Sequence, residues 1–436
     1  MNKRMGMIIG IAAAAIVLVG LYLIYLNVFV NKHRLDLVHN TYTTSEYRNI
    51  AAESSIMPSY MWSRVEKILK DGDYIMSAYM LEGRLATQDA EPSGRYLLTD
   101  QSLLLLKYIA EGDRISARNL VGKINEDFRM EDGSYRAVFT GEGEESSLYT
   151  NRDELAFLEA YIEYYSAYGN SDDMDNIRAL VDIIFDGDGM IRSESLSGAT
   201  YSTSENVSSV MTDEDIKPTF DTIYGAEGVM VEGGTAEEDT FDYEGVRTGD
   251  INLELLGNLE RNKLIPEGTT ARYEEIVTGA LASPDIPYYA YAYTKDQAGN
   301  VVYVYSTGKA ATISVSESLR TMLNLARVGL LPQNVYSQFK TNLINDSVLL
   351  DSYYIATGLT GGSEIQSSYV DLLALAKYQK DTDLFRTVSR IISIRVATKQ
   401  QSRALYLIFR NTDDRYVFFG EENLKAYLVI NGTFAV

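Results

Sequence analysis

The stretch that decides the fold is TDQSLLLLKYIAEGDRISARNLVGKINEDF, residues 99–128. Apolar residues recur at spacings of three and four on both sides of a Gly-Asp break, which predicts two amphipathic helices joined by a tight turn. NRDELAFLEAYIEYYSAYGN (151–170) followed by SDDMDNIRALVDIIF (171–185) repeats the theme without repeating the sequence. Three more pairs follow at 249–262 with 269–282, 314–329 with 333–345, and 365–379 with 382–396. A last helix over KQQSRALYLIF (399–409) is expected to pair with one at 60–70. Six helical hairpins closing in a ring predict an all-α (α/α)6 toroid, with loops at one end forming a cleft. An open solenoid is the alternative, but it would show a fixed repeat length, and none is visible.

Two stretches break the helical rhythm. IPYYAYAYTKDQAGNVVYVYS (286–306) alternates around a Gly-Asn turn and predicts a small β-hairpin insertion. Residues 187–240 are rich in Gly, Ser, Thr, Asp and Glu, the composition of a long functional or mobile loop.

Outside the helical region the N-terminus is distinctive. MGMIIGIAAAAIVLVGLYLIYL (5–26) carries no charge, so residues 1–30 are expected to form one transmembrane helix acting as an uncleaved anchor. Residues 31–55 read as a polar stalk and 56–436 as the ring domain. The expected location is a single pass through the cell membrane with the C-terminal domain extracytoplasmic.

Composition excludes several classes of function. The 436 residues are 46% apolar and 23% charged, enough for a large core. Acids outnumber bases 61 to 39, giving a net charge of -22, which repels phosphate backbones and argues against a nucleic-acid partner. There is no cysteine, and the two histidines, His33 and His39, lie beside the apolar segment. Disulfides, thiolate metal sites, histidine zinc sites and a Ser-His-Asp triad are thereby disfavoured. Hydrolytic chemistry would fall to carboxylates, tyrosines or lysines.

Three acids stand where a polar loop enters an expected inner helix: Asp100, Asp153, and Glu244 in TFDYEGVRTGD (240–250). In a closed ring they would rim one mouth, an arrangement suited to glycosidic hydrolysis, in which one carboxyl protonates the leaving oxygen while another activates water. Each acid alone is equally readable as a helix-start residue facing the dipole, or, for Glu244, as one half of a surface ion pair with Arg247. Tyrosines are frequent, 33 in all, and Tyr149, Tyr201, Tyr288, Tyr289, Tyr291 and Tyr293 fall in loops or the expected hairpin, where rings can stack on sugars or pack within the hairpin.

The run Phe241, Tyr243, Glu244, Gly245, Arg247 resembles the F-x-Y-D-A-x-R element of glycoside hydrolase family 8, inverting (α/α)6 enzymes that include endoglucanases, chitosanases and the cellulases of bacterial cellulose synthase operons. TDQS resembles that family's S-E-G-Q-S-Y segment with the glycine missing, and YTNRDELAFLEAYI resembles its A-T-D-A-D-L-D-I-A-Y-A-L. The resemblance implies Asp100 as general acid, Glu244 as general base, Asp153 as a sugar-binding carboxylate, and Arg247 and Tyr243 beside the base. Tyr149 and Tyr201 join the expected substrate-binding set. Relative to the family the acid is Asp for Glu and the base Glu for Asp, so a shorter donor would face a longer acceptor. The resemblance further implies a β-linked polysaccharide substrate, β-1,4 by analogy, a polysaccharide synthase complex as partner, and no metal or cofactor. A catalytically weak carbohydrate-binding or scaffold protein is the competing expectation.

Overall fold

The structure, a computed structural model, describes residues 15–22, 35–40, 45–82, 90–140, 150–198, 241–305, 312–355, 357–398, 402, 404–412 and 415–432. Thirteen helices among these carry the architecture: α1 (Ser45–Glu53), α2 (Pro58–Ile68), α3 (Leu98–Ala110), α4 (Arg114–Asp127), α5 (Asn151–Tyr168), α6 (Ser171–Ile184), α7 (Leu253–Arg261), α8 (Thr269–Gly279), α9 (Val315–Arg327), α10 (Gln333–Asp346), α11 (Tyr369–Tyr378), α12 (Thr382–Ser393) and α13 (Gly420–Asn431). Local chemistry starts several of them. Thr150 accepts from the Asp153 amide, Asn170 and Asp173 form a capping box, and Asp113, Asn252, Ser314 and Asp381 each accept a first-turn amide.

The inner helices touch in a cycle. α3 packs on α5, α5 on the 3-10 turn Thr248–Asp250, that turn and α7 on α9, α9 on α11, α11 on α13, and α13 back on α3. Outside them α4, α6, α8 and α12 lie against α3, α5, α7 and α11, while α2 lies against α13. Inner helices are enclosed on all sides; every residue of α11 is buried. A continuous apolar core joins the two layers, with tilted rings such as Tyr135, Phe157 and Tyr161 packed at centroid separations of 4.8 and 5.1 Å.

The chain is nevertheless not all-α, which corrects the expected class. Six small sheets occur among the described residues, two of them four-stranded, so the architecture is mixed. The expected hairpin is not an isolated insertion: Ala292–Lys295 and Val301–Val304 form half of a four-stranded sheet completed by Phe241–Arg247 and Glu194–Gly198. A second such sheet joins Ala78–Glu82 to Arg415–Phe419, more than three hundred residues later. The strands are two to seven residues long, and several, such as Ala78–Glu82 with Arg415–Phe419 and Glu194–Gly198 with Phe241–Arg247, pair across large sequence separations, so little in their local sequence marks them.

Two further expectations change. The sixth inner helix is α13, not residues 399–409, whose described part consists of turns and a bridge between Val396 and Ile408. Between α9 and α10 the strand Ile286–Tyr289 intervenes, with Tyr288 packed on Phe339 of α10. As for a transmembrane helix, residues 15–22 are helical and mostly exposed, and no helix of the described residues is long and apolar enough to cross a membrane. The rest of the 1–30 segment lies outside the described residues.

The stretch expected as a stalk is held against the ring. Asn258 of α7 bonds both the amide and carbonyl of Val38, and Asn262, one turn on, does the same for Asp36. His39 inserts between Glu163 and Glu254 at 3.0 and 2.9 Å, and Asn40 donates to the carbonyl of Arg327, the last residue of α9. α1 then packs on α12 and α13. The segment thus crosses the C-terminal ends of the inner helices and leaves their N-terminal ends to form the opposite mouth.

Candidate active site

Five of the six inner helices bring an acid to that mouth in their first turn: Asp100 in α3, Asp153 in α5, Glu317 in α9, Asp371 in α11, and Glu421 and Glu422 in α13, whereas the first-turn Glu254 of α7 bonds His39. The helix N-terminal dipole favours a negative charge there, so the placement follows from the helix starts. Cations are threaded among the acids. Arg152 reaches Glu421 at 3.3 Å, Arg320 reaches Glu317 at 2.9 Å, Arg410 reaches Glu422 at 3.0 Å, and Lys425 pairs with Asp371.

Asp100 is fully buried, and neither carboxylate oxygen has a hydrogen-bond partner at normal geometry, the Glu421 backbone amide being the donor that faces it. Burial raises its pKa well above the usual carboxylate range, and Glu421 and Asp153 raise it further; the Glu421 amide and Arg152 oppose this without offsetting it. Gly420 makes the pocket possible, since a Cβ there would lie 3.2 Å from Asp100 Oδ2 and 2.9 Å from the Met76 carbonyl oxygen. Asp153 accepts from the Thr150 hydroxyl at 2.5 Å, and burial raises its pKa as well. The structure therefore brings Asp100 and Asp153 together.

Glu244 stands elsewhere. It lies on the strand Phe241–Arg247, paired with Ser195, and is exposed, while Tyr243 and Gly245 are buried. Side chains alternate along a strand, so residues 244 and 247 project to opposite faces. Arg247 turns inward: its Nε donates to the Tyr291 hydroxyl at 2.9 Å, and Nη1 lies 3.6 Å from Glu194 Oε1 and 3.9 Å from Asp250 Oδ2. Its partners are Glu194, Asp250 and Tyr291, which corrects the expectation that it pairs with Glu244. Tyr149 and Tyr201 lie outside the described residues. Tyr288, Tyr289 and Tyr293 are core residues, whereas Tyr291 remains partly exposed beside Arg247.

Asp250 is the residue that sequence reasoning missed. It closes the turn Thr248–Asp250, and its side chain is 2% exposed. Burial pushes its carboxyl up to about 7, with Glu317 raising it and Arg152, Arg320 and Arg247 lowering it. It lines a cavity of about 140 Å³ between α5 and α9, together with Arg152, Asn252, Arg320 and Asn324. The only sequence signal was its position three residues after Arg247, at the start of the 249–262 helical segment.

The fold has solved counterparts. An α-amylase from Clostridium perfringens is 15% identical, with a TM-score of 0.59, over 86% of this chain and 98% of that one. A reducing-end-xylose releasing exo-oligoxylanase is 10% identical, with a TM-score of 0.52, over 90% and 97%. PssZ from Listeria monocytogenes is 10% identical, with a TM-score of 0.50, over 91% and 97%. At these identities the likeness establishes a shared fold across nearly the whole length of those chains. No family model and no curated protein matches the sequence.

Proposed function

We propose that the protein is a glycoside hydrolase, with Asp100 as the acid that protonates the leaving glycosidic oxygen. The observation that carries this reading is the environment of Asp100. A general acid must hold its proton at working pH, and full burial without a hydrogen-bond partner at normal geometry favours the neutral carboxyl. Asp153 beside it would bind hydroxyls of the sugar at the cleavage point. The carboxylate that activates water belongs to the segment 241–250, for which the sequence pattern offers Glu244, flanked by Tyr243 and Arg247. Counterparts of the same fold that act as an α-amylase and release xylose from oligoxylan support a glycan in this mouth.

The finer reading is a β-linked extracellular polysaccharide or exopolysaccharide, cut with inversion, by a domain tethered at the cell membrane through its apolar N-terminus and placed outside. Linkage and inversion rest on the resemblance to family 8, and a synthase complex as partner rests on the same analogy. The test is release of reducing ends from a panel of β-1,4-glucan, chitosan, oligoxylan, starch and the cognate exopolysaccharide. Asp100→Asn should abolish release while preserving polymer binding, and NMR of the first-formed anomer would report inversion. Release from none of these polymers by the wild type would overturn the reading.

A further inference from the structure

We propose that Asp250, rather than Glu244, accepts the proton of the attacking water. The inference rests on the glycosidase reading above and assigns the second half of its acid/base pair.

Position comes first. The turn carrying Asp250 is wedged between α5 and the first three turns of α9 and is held from several sides. The Gly249 carbonyl accepts from Asn324 Nδ2 at 2.9 Å, and the Thr248 hydroxyl meets both the Ala290 carbonyl and the Thr321 hydroxyl. A Cβ on Gly249 would lie 3.0 Å from Arg320 Cβ and 3.2 Å from the Glu317 carbonyl oxygen, so only glycine allows the turn to press this closely on α9. Such support suits a group that must act from a fixed place.

Availability comes second. Asp250 Oδ2 is buried and has no hydrogen-bond partner in the protein, and Arg247 Nη1 stands at an ion-pair distance of 3.9 Å. Asp250 itself lines the cavity, and no protein donor occupies Oδ2. Glu244 projects from the exposed face of its strand, away from the Arg247 side.

Relation to Asp100 comes third. Arg152 influences both carboxyls, Asp100 from the α3 side and Asp250 from the 3-10 turn. In the ring α5 lies between α3, which carries Asp100, and the turn that carries Asp250, and inversion requires that the two carboxyls stand apart, about 6.5–9.5 Å, with the sugar and the water between them. The groups facing Asp250 are Arg152 of α5, Glu317 and Arg320 of α9, and Arg247 of its own strand. Their balance with burial puts the Asp250 carboxyl at about 7, while burial, Glu421 and Asp153 push Asp100 well above the ordinary carboxylate range.

In the step itself, a lone pair of the water oxygen forms the bond to the anomeric carbon as its O–H proton passes to Asp250. The bond from that carbon to the glycosidic oxygen breaks with its electron pair on oxygen, which takes the proton of Asp100. One acetal and one water become a hemiacetal and an alcohol, leaving Asp250 protonated and Asp100 ionised until solvent restores both.

The test compares Asp250→Ala and Glu244→Ala on whichever polymer the wild type cleaves, with and without added formate. Asp250→Ala should lose on the order of 10²–10⁴-fold in kcat with a smaller change in KM, and formate should restore part of it. Restoration of Glu244→Ala alone, or wild-type kcat in Asp250→Ala, overturns the assignment. So does loss in Asp250→Ala that formate does not restore in a variant with a wild-type circular dichroism spectrum. If Asp250→Ala does not fold, Asp250→Glu provides the readout: the acidic limb of the kcat/KM profile, expected near pH 7 in the wild type, should move, and an unmoved limb overturns the proposal. Absence of any wild-type activity would instead defeat the glycosidase reading itself.

Discussion

Asp100 and Gly420 meet across the junction of α3 and α13, where a Cβ on Gly420 would stand 3.2 Å from Asp100 Oδ2 and 2.9 Å from the Met76 carbonyl oxygen. The contact explains how a carboxyl can be enclosed at a helix start without a side-chain partner: the neighbouring helix begins with the one residue that has no side chain. Gly420→Ala must displace either the carboxyl or the Met76 backbone. Overpacking of this kind costs about 1–3 kcal/mol. The expected result is a lowered melting temperature together with reduced turnover, measured by thermal unfolding and by reducing-end release. A variant with wild-type values for both would show that the two helices separate freely.

Asp100 itself should trade stability for function. Its folded-state pKa is raised above the ordinary value of 3.8, so below that value both states are protonated and it contributes nothing. As pH rises from there towards the folded value, the unfolded chain releases its proton first and the fold is progressively disfavoured. Asp100→Asn removes this penalty. The variant should therefore melt higher than the wild type at pH 7, show little difference near pH 3.5, and be inactive. Equal melting temperatures at pH 7 would mean that the buried carboxyl is not strained by its surroundings.

The contrast between Asp100 and Asp250 shows what was legible in the sequence. Five helical pairs were visible because amphipathic periods of nine to eighteen residues are local signals, and Asp100 and Asp153 were visible because they stand at the starts of such helices. The pairing of Ala78–Glu82 with Arg415–Phe419 was hidden, because a five-residue strand carries little period and its partner lies far along the chain. α13 was missed for a related reason: GEENLKAYLVIN begins directly at the end of a strand, with no side-chain cap to announce it. By sequence alone TFDYEGVRTGD (240–250) reads as a loop entering a helix. Once it is a strand, alternation separates Glu244 from Arg247 and directs the arginine to Glu194, Tyr291 and Asp250.

That redirection of Arg247 has a measurable consequence. Its guanidinium is one of three cations that hold the Asp250 pKa down against burial and Glu317. Removing the charge while keeping the bulk, as in Arg247→Met, should raise the Asp250 pKa above about 7. If Asp250 must be ionised for turnover, the acidic limb of kcat/KM shifts to higher pH. The pH profile of the variant against the wild type checks this, and a limb that stays in place would separate Arg247 from the titrating group.

At the far end of the ring, His39 tests whether the N-terminal segment is part of the domain. Side-chain hydrogen bonds from Glu163 and then Glu254 raise its pKa from 6.5 to about 10, against an opposing effect of burial. For a histidine with a raised folded-state pKa, the stabilisation is fully present below 6.5 and is lost as pH climbs to about 10. With a quarter of the side chain still exposed, solvent screening reduces the contribution to on the order of 1–2 kcal/mol. His39→Gln should thus lower the melting temperature clearly at pH 6 and hardly at pH 10.5. The neighbouring amide contacts of Asn258 and Asn262 do not titrate, so Asn258→Ala should lower it at both. A pH-independent His39→Gln effect would mean that the imidazole fills space between two helices without acting as a cation, and the two glutamates would then need another source of compensation.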